Sequence, residues 1–430
     1  MKKIITWIVR IIVIFLFISA IMFFFDVCPP QGPWPMPPRC AGDFVRHEYA
    51  VDVHPTPLWQ IKAVNMIDTR GRNYNMSMFE DTRNNISSSF DRVAKLWAQE
   101  VYVHDFHRAV FEKWSDYTTT NYEIADETFW NDMRDQSISY KELQTLVNEA
   151  HERWLSLGIK HNMAFVNIGK YILKGIKWEI QNSVVEDFET FNADHSEEWI
   201  KDYFAKRTAR MTEKWTEYQK AGVDIMSISP TWMEPKFAWH EALANDLQKQ
   251  LIAELRKVFT GKIYVEISRY GFFENKDGRE DWTKYDFYTH ADIVEMRIYD
   301  LPQKFRGMDI ANAIMQYVKE LDAIAKQKNI RLSIFFAPSS YKDSMKQWVL
   351  EVLDYKSDII KNTSSDFDYQ ASVFDLMFKS LLTTSNIERI NVASFAWDDA
   401  MDPQVKPKLS IASTFRNKPA ENVIEAWFKK

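Results

Sequence analysis

The residues most suited to chemistry lie in the stretch Asp224–Pro235, with the sequence DIMSISPTWMEP. Asp224–Ser229 has the apolar character of a short buried strand, and a turn bracketed by prolines then carries Trp232 and Glu234. A carboxylic acid can transfer a proton, and a flat indole can stack on a sugar ring. Cleavage of a glycosidic bond requires a second carboxylate as well, so the rest of the chain must bring one to the same place.

The composition is that of a globular protein, and it excludes some classes of binding partner. The 430 residues are 46% hydrophobic and 27% charged, and the aromatic content of 15% is compatible with carbohydrate binding. A net charge of -6, without a basic block beyond the amino terminus, argues against a nucleic-acid partner. The phosphate-binding motifs GxxxxGK and GxGxxG are absent from the sequence, so no nucleotide cofactor is expected.

A hydrophobic segment near the amino terminus predicts a membrane anchor, residues 1–27. Ile4–Phe25 is long enough as a helix to cross a bilayer, and Lys2 and Lys3 place the amino terminus in the cytoplasm. No small-residue cleavage site follows, which favours an uncleaved anchor over the alternative, a cleaved signal peptide. In both cases the bulk of the chain is expected on the extracytoplasmic side, where cell-envelope proteins are candidate partners.

The only two cysteines, Cys28 and Cys40, enclose a Pro-rich loop at the start of a predicted linker, residues 28–57. In an oxidising compartment they are expected to form a disulfide, which is worth about 3 kcal/mol for a loop of this size. The alternative is a pair of free thiols near the membrane.

Eight alternations of short apolar runs and amphipathic helical stretches follow the linker, which predicts a (β/α)8 TIM barrel over residues 58–430. Long insertions follow strands two and three. An open, doubly wound sheet is the alternative. The predicted strands are 60–67, 100–106, 161–168, 224–229, 262–268, 292–299, 331–337 and 390–397. The predicted helices are 84–98, 139–157, 197–221, 239–259, 310–328 and 367–383.

Alternation within strands five and six predicts which side chains enter the barrel. The apolar residues take the helix-facing positions, which leaves Glu266 and, on strand six, Glu295, Arg297 and Tyr299 facing the lumen. One of the two glutamates could be the second catalytic carboxylate. Alternatively, both glutamates form a salt-bridged core layer with Arg297.

Chemistry in this architecture is carried at the carboxyl ends of the strands. Several residues at these ends are therefore expected to contact a substrate. They are His104, His107, Asn167, Trp232, Arg297, Tyr299, Trp397 and Asp398.

The run His104-Asp105-Phe106-His107 also suggests an alternative, a metal-dependent hydrolase, because histidine and aspartate bind zinc. Strands five to eight add no histidine at their carboxyl ends, so three or four convergent ligands are hard to find. No metal site is predicted, and the two histidines are expected to hydrogen-bond sugar hydroxyls instead.

From about Trp59 to Asp399, the order of strands and their end residues resembles the retaining glycoside hydrolases whose catalytic glutamates follow strands four and seven. The similarity is greatest to the endo-β-1,4-mannanase type. The resemblance implies that Glu234 is the acid/base, that Tyr299 in RIYDLP belongs to an aromatic turn, and that Trp397 is a sugar platform.

The sequence departs from this family at the end of strand seven, where FFAPSS places Ala337 or a neighbour in the position of the nucleophilic glutamate. Three outcomes remain open. Glu266 or Glu295 replaces it from the lumen, Asp300 or Asp398 acts as the base of an inverting enzyme, or the barrel binds glycan without cutting it.

The sequence therefore predicts a membrane-anchored, extracytoplasmic glycoside hydrolase that acts on a β-linked polysaccharide. A non-catalytic glycan-binding or structural barrel of a cell-envelope assembly is the alternative.

Overall fold

The structure is a computed structural model, and it describes residues 61–67, 85–111, 122–125, 138–167, 195–228, 237, 240–268, 285–346, 363–396 and 411–430. The predicted anchor and the two cysteines lie outside these residues, so the division into anchor, linker and barrel stays a prediction. Within the described part, no helix combines the length and the apolar character needed to cross a bilayer.

Within the described residues, nine strands and seven α-helices follow one another along the chain. The strands are β1 (Ile61–Ile67), β2 (Glu100–Phe111), β3 (Tyr122–Ala125), β4 (Ser156–Asn167), β5 (Ile225–Ile228), β6 (Lys262–Ser268), β7 (Ile293–Ile298), β8 (Leu332–Phe336) and β9 (Ile387–Ala396). The helices are α1 (Asn85–Lys95), α2 (Tyr140–His151), α3 (Glu197–Ala221), α4 (Glu241–Val258), α5 (Ile310–Lys328), α6 (Phe367–Leu381) and α7 (Pro419–Phe428).

Eight of the strands close into a parallel barrel. β1 pairs in parallel with both β2 and β9, and the strands between them run in the order β2-β4-β5-β6-β7-β8-β9. The predicted strands one to eight correspond to β1, β2 and β4 to β9, so the predicted barrel is confirmed and the open doubly wound sheet is wrong. β3 lies in the insertion after β2 and extends the sheet by antiparallel pairing with its carboxyl half.

The main hydrophobic core lies between the barrel and its helices, because alternate residues of each parallel strand point outward. Val294, Met296 and Ile298 are buried on the helix side of β7, as their alternation predicts. The aromatic richness of the sequence contributes to this layer. Its largest buried members include Trp199, Trp215 and Trp427.

Local signals define several helix ends. α2 begins with a capping box, in which the Ser139 hydroxyl accepts from the Glu142 amide and the Glu142 carboxylate accepts from the Ser139 amide. α3 begins at Ser196, whose side chain accepts from the Trp199 amide, and ends at Gly222, whose φ of 90° suits a residue without Cβ. The helix stop predicted at Gly222 is confirmed.

Several boundaries differ from the sequence prediction, and two strand starts matter for the lumen. The helix predicted to reach residue 157 ends at His151, and the strand that follows begins at Ser156 instead of residue 161. The strand predicted from residue 390 begins at Ile387. Each of these strands thereby includes an inward-facing cation, Lys160 or Arg389, that pairs inside the barrel.

Replacing Gly158 by alanine is expected to destabilise the barrel. Gly158 on β4 lies opposite Tyr102 on β2, and a Cβ built on Gly158 would meet the Tyr102 ring at 2.3 Å. The ring is held by its hydroxyl, which donates to Glu100 at 2.9 Å. We expect Gly158→Ala to lower the free energy of unfolding, measured in urea, by about 1–3 kcal/mol.

Gly307→Ala is the matched control, because nothing lies within 4 Å of a Cβ at that position. It should change the free energy of unfolding by less than about 0.5 kcal/mol. Equal stability of the two variants would contradict the close approach of Gly158 and Tyr102.

Candidate active site

The centre of the barrel lumen holds a lysine between two glutamates. Lys160 on β4 places its Nζ 2.6 Å from Glu266 Oε1 on β6 and 2.9 Å from Glu295 Oε1 on β7. All three side chains are buried. Their strands bring them together because Glu266 and Glu295 are register partners and both face inward.

Further cations and hydroxyls complete the coordination of the two glutamates. The Arg297 guanidinium pairs with Glu266 Oε2, and the Arg389 guanidinium pairs with Glu295 Oε2. The Ser227 hydroxyl donates to Glu266 Oε1 at 3.0 Å, and the Asn391 amide donates to Glu295 Oε2 at 3.0 Å.

A third buried carboxylate, Glu100, lies toward the amino-terminal end of the lumen. It accepts from Arg389 Nε at 2.8 Å and from the hydroxyls of Tyr102 and Tyr264 at 2.9 and 3.1 Å. Burial raises the pKa of both phenols, so the two tyrosines remain hydrogen-bond donors. The Arg389 guanidinium also lies 4.8 and 4.9 Å from the centres of the two rings, within the range of cation–π attraction.

The three buried carboxylates thus face three buried cations, Lys160, Arg297 and Arg389. Burying ions costs several kcal/mol each unless close partners offset the lost hydration. Burial works to raise the pKa of Glu295, but the charges of Lys160 and Arg389 outweigh it and hold the pKa at about 2. Glu295 is therefore ionised at neutral pH and is paired with Lys160 and Arg389.

These contacts place both predicted lumen glutamates in one network, with Arg297 beside them. The arrangement fits the alternative of a salt-bridged core layer, since both oxygens of Glu266 and of Glu295 lie against a cation. A nucleophile needs an oxygen directed at the substrate. The catalytic assignment of Glu266 and Glu295 stays a prediction.

Polar and aromatic side chains continue the lumen toward its carboxyl-terminal mouth. His104 Nε2 lies 3.0 Å from Asn65 Oδ1, and burial, together with the charges of Lys160 and Arg297, lowers the pKa of His104 well below its ordinary value. His104 is therefore a neutral imidazole, which can both donate and accept hydrogen bonds.

Tyr299 lies at the same end of the barrel and packs edge-on against Phe335, with ring centres 5.8 Å apart. Lys160 Nζ lies 4.1 Å from the centre of the Phe335 ring, which separates the ionic network from the mouth. The structure thus brings together His104, Arg297 and Tyr299 of the predicted substrate-contacting set.

Other predicted site residues lie outside the described residues or are described only in their backbone. His107 and Asn167 lie on β2 and β4, and nothing is described of their side chains. The remaining residues, all outside the described part, are Glu234, Trp232, Trp397, Asp398, Cys28 and Cys40.

The suggested metal ligands at β2 do not converge. His104 faces the lumen, whereas Asp105 faces the helices and accepts from the Ile138 amide at 2.9 Å and from the Tyr218 hydroxyl. Neighbouring residues of a strand point to opposite sides, so this result follows from strand geometry. Among the described residues, no group of three or more His, Cys, Asp or Glu side chains is arranged to hold a metal ion.

Sequence reasoning missed the two cations at the centre of the network. Lys160 and Arg389 were excluded because the predicted strands began one residue after each of them. The alternation in LGIKHN was an available signal, since Leu157 and Ile159 take the helix side and leave Lys160 inside.

Comparison with known proteins shows similarity at the level of structure alone. No protein-family model and no curated protein sequence matches the chain. A β-1,4-mannanase of glycoside hydrolase family 113 (GH113), solved as a complex, superposes with a TM-score of 0.58 at 14% identity, covering 87% of this chain and 100% of the other. The chain has the barrel fold of these mannanases.

Two further GH113 structures agree. One β-1,4-mannanase gives a TM-score of 0.57 at 15% identity, with 87% of this chain and 100% of the other covered. The β-mannanase from Alicyclobacillus acidocaldarius, in complex with ManMIm, gives 0.57 at 13% identity, with 87% and 98% covered. The predicted resemblance to mannanase-type barrels is confirmed for the fold.

Removing the Lys160 ammonium is expected to lower the stability of the fold. Lys160→Met leaves the buried Glu266 and Glu295 short of a shared partner, so we expect the free energy of unfolding at pH 7 to fall by about 3–5 kcal/mol. The matched control is Lys201→Met, which removes an exposed ion pair with Glu197 on α3 and should cost less than about 1 kcal/mol. Similar losses in the two variants would contradict a central role for Lys160.

The network also predicts that the stability of the fold depends on pH. Because folding lowers the pKa of Glu295 to about 2, its ionisation stabilises the fold above the ordinary glutamate pKa. This stabilisation is lost as the pH falls toward 2. The stability difference between wild type and Glu295→Gln, measured in urea, should therefore shrink between about pH 5 and pH 2. A difference that stays constant over this range would contradict the lowered pKa.

Proposed function

We propose that this chain is a glycoside hydrolase that acts on a β-linked polysaccharide, with β-1,4-mannan as the first substrate to test. The observation that carries the proposal is the superposition on GH113 β-1,4-mannanases over 98–100% of their chains. A shared fold does not fix an activity, so the contents of the barrel mouth must support it separately.

The mouth supplies groups suited to sugar hydroxyls. Tyr299 adds an aromatic surface beside Phe335, and His104 lies in the adjoining part of the lumen as a neutral imidazole. Within the described part, Asn65, whose Oδ1 lies beside His104, has a buried Nδ2 without a hydrogen-bond partner. Buried polar atoms of this kind are usually satisfied by water or by a ligand, and sugar hydroxyls both donate and accept.

Chain order supports a common rim for the proposed acid and the proposed sugar platform. Glu234 follows the last residue of β5, Ile228, by six positions, and Trp397 directly follows the last residue of β9, Ala396. Both strands are parallel members of one closed barrel, so both segments start from its carboxyl-terminal end. In this proposal Glu234 is the general acid and Trp397 supports a sugar ring.

The second carboxylate is proposed by elimination among the predicted candidates. Glu266 and Glu295 are paired with cations, and Asp300 accepts from Arg306 at 2.9 Å. Asp398 follows Trp397 at the rim and becomes the residue to test as an activating base. With such a pair the reaction would invert the anomeric configuration, which NMR of the first product can read. Retention of the anomeric configuration would instead assign the role of nucleophile to Glu266 or Glu295.

Placement in the cell is a proposal from sequence. We propose that Ile4–Phe25 anchors the barrel in a membrane, with the amino terminus cytoplasmic and the barrel on the other side. Cys28 and Cys40 would then lie in the compartment that permits their disulfide.

Binding without cleavage is the second candidate function. It is favoured by the pairing of both lumen glutamates with cations, which leaves Glu234 without a described carboxylate partner. A glycan-binding barrel would retain affinity for polysaccharide, measured by affinity electrophoresis, in the absence of any release of reducing ends.

The decisive experiment is a screen of the full-length protein against mannan, glucan, galactan and peptidoglycan. We expect hydrolysis of a β-linked substrate, and a reduction of kcat by about 10²–10⁴ in Glu234→Gln, because the amide cannot donate the proton. The matched control is Glu254→Gln, which changes a surface carboxylate on α4 and should leave kcat unchanged. Full activity in Glu234→Gln would exclude the proposed acid.

A further inference from the structure

Two tryptophans are exposed on the amino-terminal face of the barrel. Trp97 lies between α1 and β2, and Trp154 lies between α2 and β4. Their side chains are 54% and 94% exposed, whereas the other tryptophans described, on α3 and α7, are buried. The exposure is therefore unusual for an indole in the described part of this protein.

Both tryptophans also occupy a backbone conformation that their residue type disfavours. Their φ angles are 64° and 60°, in the left-handed region where Cβ crowds the backbone. The turns after α3 and α5 place Gly222 and Asn329 in the same region, and both residue types tolerate it.

The turn after α2 has the same hydrogen bonding as those two turns. In all three, the amide that follows the left-handed residue donates to a helix carbonyl at 3.0 Å. The backbone geometry of this turn therefore favours glycine or asparagine at position 154. The indole is retained against this preference although it is almost fully exposed, which points to a contact outside the barrel.

The start of β1 lies beside both turns. The amide of Gln99, two residues after Trp97, donates to the Lys62 carbonyl at 2.8 Å. The carbonyl of Gln99 accepts at 2.9 Å from the amide of Ser156, two residues after Trp154. The start of β1 and the two tryptophan turns therefore form one continuous patch, and the chain before β1 contains the apolar segment 4–25.

Basic residues accompany the two indoles. The Lys62 ammonium donates to the carbonyl of Phe428 at the end of α7, which brings the carboxyl terminus to the same face. Tryptophan and lysine together are typical of surfaces at the boundary between lipid and water. The exposed charged residues of the adjoining turns and of the carboxyl terminus are Lys95, Glu152, Lys429 and Lys430.

We propose that Trp97 and Trp154 rest on the lipid bilayer that holds Ile4–Phe25. The contact requires the anchoring proposed above, and it adds an orientation to it. In this proposal the anchor is tethered to the start of β1 at this face, which raises the effective concentration of the bilayer at the two indoles. The mouth lies at the other end of the strands and is directed away from the membrane, toward polysaccharide.

The test uses the full-length protein reconstituted into liposomes of phosphatidylcholine and phosphatidylglycerol, with or without brominated acyl chains that quench nearby indoles. We expect brominated lipid to quench tryptophan fluorescence in wild type. In the double variant Trp97→Asn/Trp154→Asn the quenching should fall to about half, because Trp7 and Trp34 in the amino-terminal segment remain. The melting temperature of the variant should match or exceed that of wild type, because asparagine tolerates the left-handed conformation.

Flotation of the liposomes in a density gradient separates the possible failures. Protein that floats but shows equal quenching in wild type and variant overturns the indole contact and leaves the anchoring intact. Protein that does not float overturns the anchoring and the contact together. Quenching that persists in pure phosphatidylcholine supports an indole contact that does not need anionic lipid.

Discussion

The barrel depends on the pairing of the Lys160 ammonium with Glu266 and Glu295 in the lumen, where all three side chains are buried. Each of these ions alone would be strongly unfavourable there, and together they are balanced only in one register of the strands. A shift of one residue along β6 or β7 would turn Glu266 or Glu295 toward the apolar helix layer. The register of the strands is therefore selected by these ion pairs as well as by the alternation of apolar residues.

This network separates the two ends of the barrel. Below it, Glu100, Arg389 and two tyrosines fill the lumen and leave it closed. Above it, the described side chains toward the mouth include Phe335, Tyr299 and a neutral His104. Substrate chemistry and membrane contact are accordingly proposed at opposite ends, each with the residue types that its surroundings favour.

The neutralised glutamates also bear on catalysis. No carboxylate directly follows β8, where the chain continues as Ala337-Pro338-Ser339-Ser340. The lumen glutamates do not offer an uncommitted oxygen in its place, since Lys160, Arg297 and Arg389 approach all four of their oxygens. A reaction of this protein would therefore rely on carboxylates at the rim, and the strand-end loops become the region where activity is decided.

The sequence by itself determined the repeating order of strands and helices, because apolar periodicity and helix caps such as Ser196 and Gly222 are local signals. It also determined that Glu266, Glu295 and Arg297 face inward, since alternation within a strand is a local property. Only the tertiary structure decided what those residues touch. Lys160 and Arg389 are distant in sequence from the glutamates that they neutralise, so no local pattern could pair them.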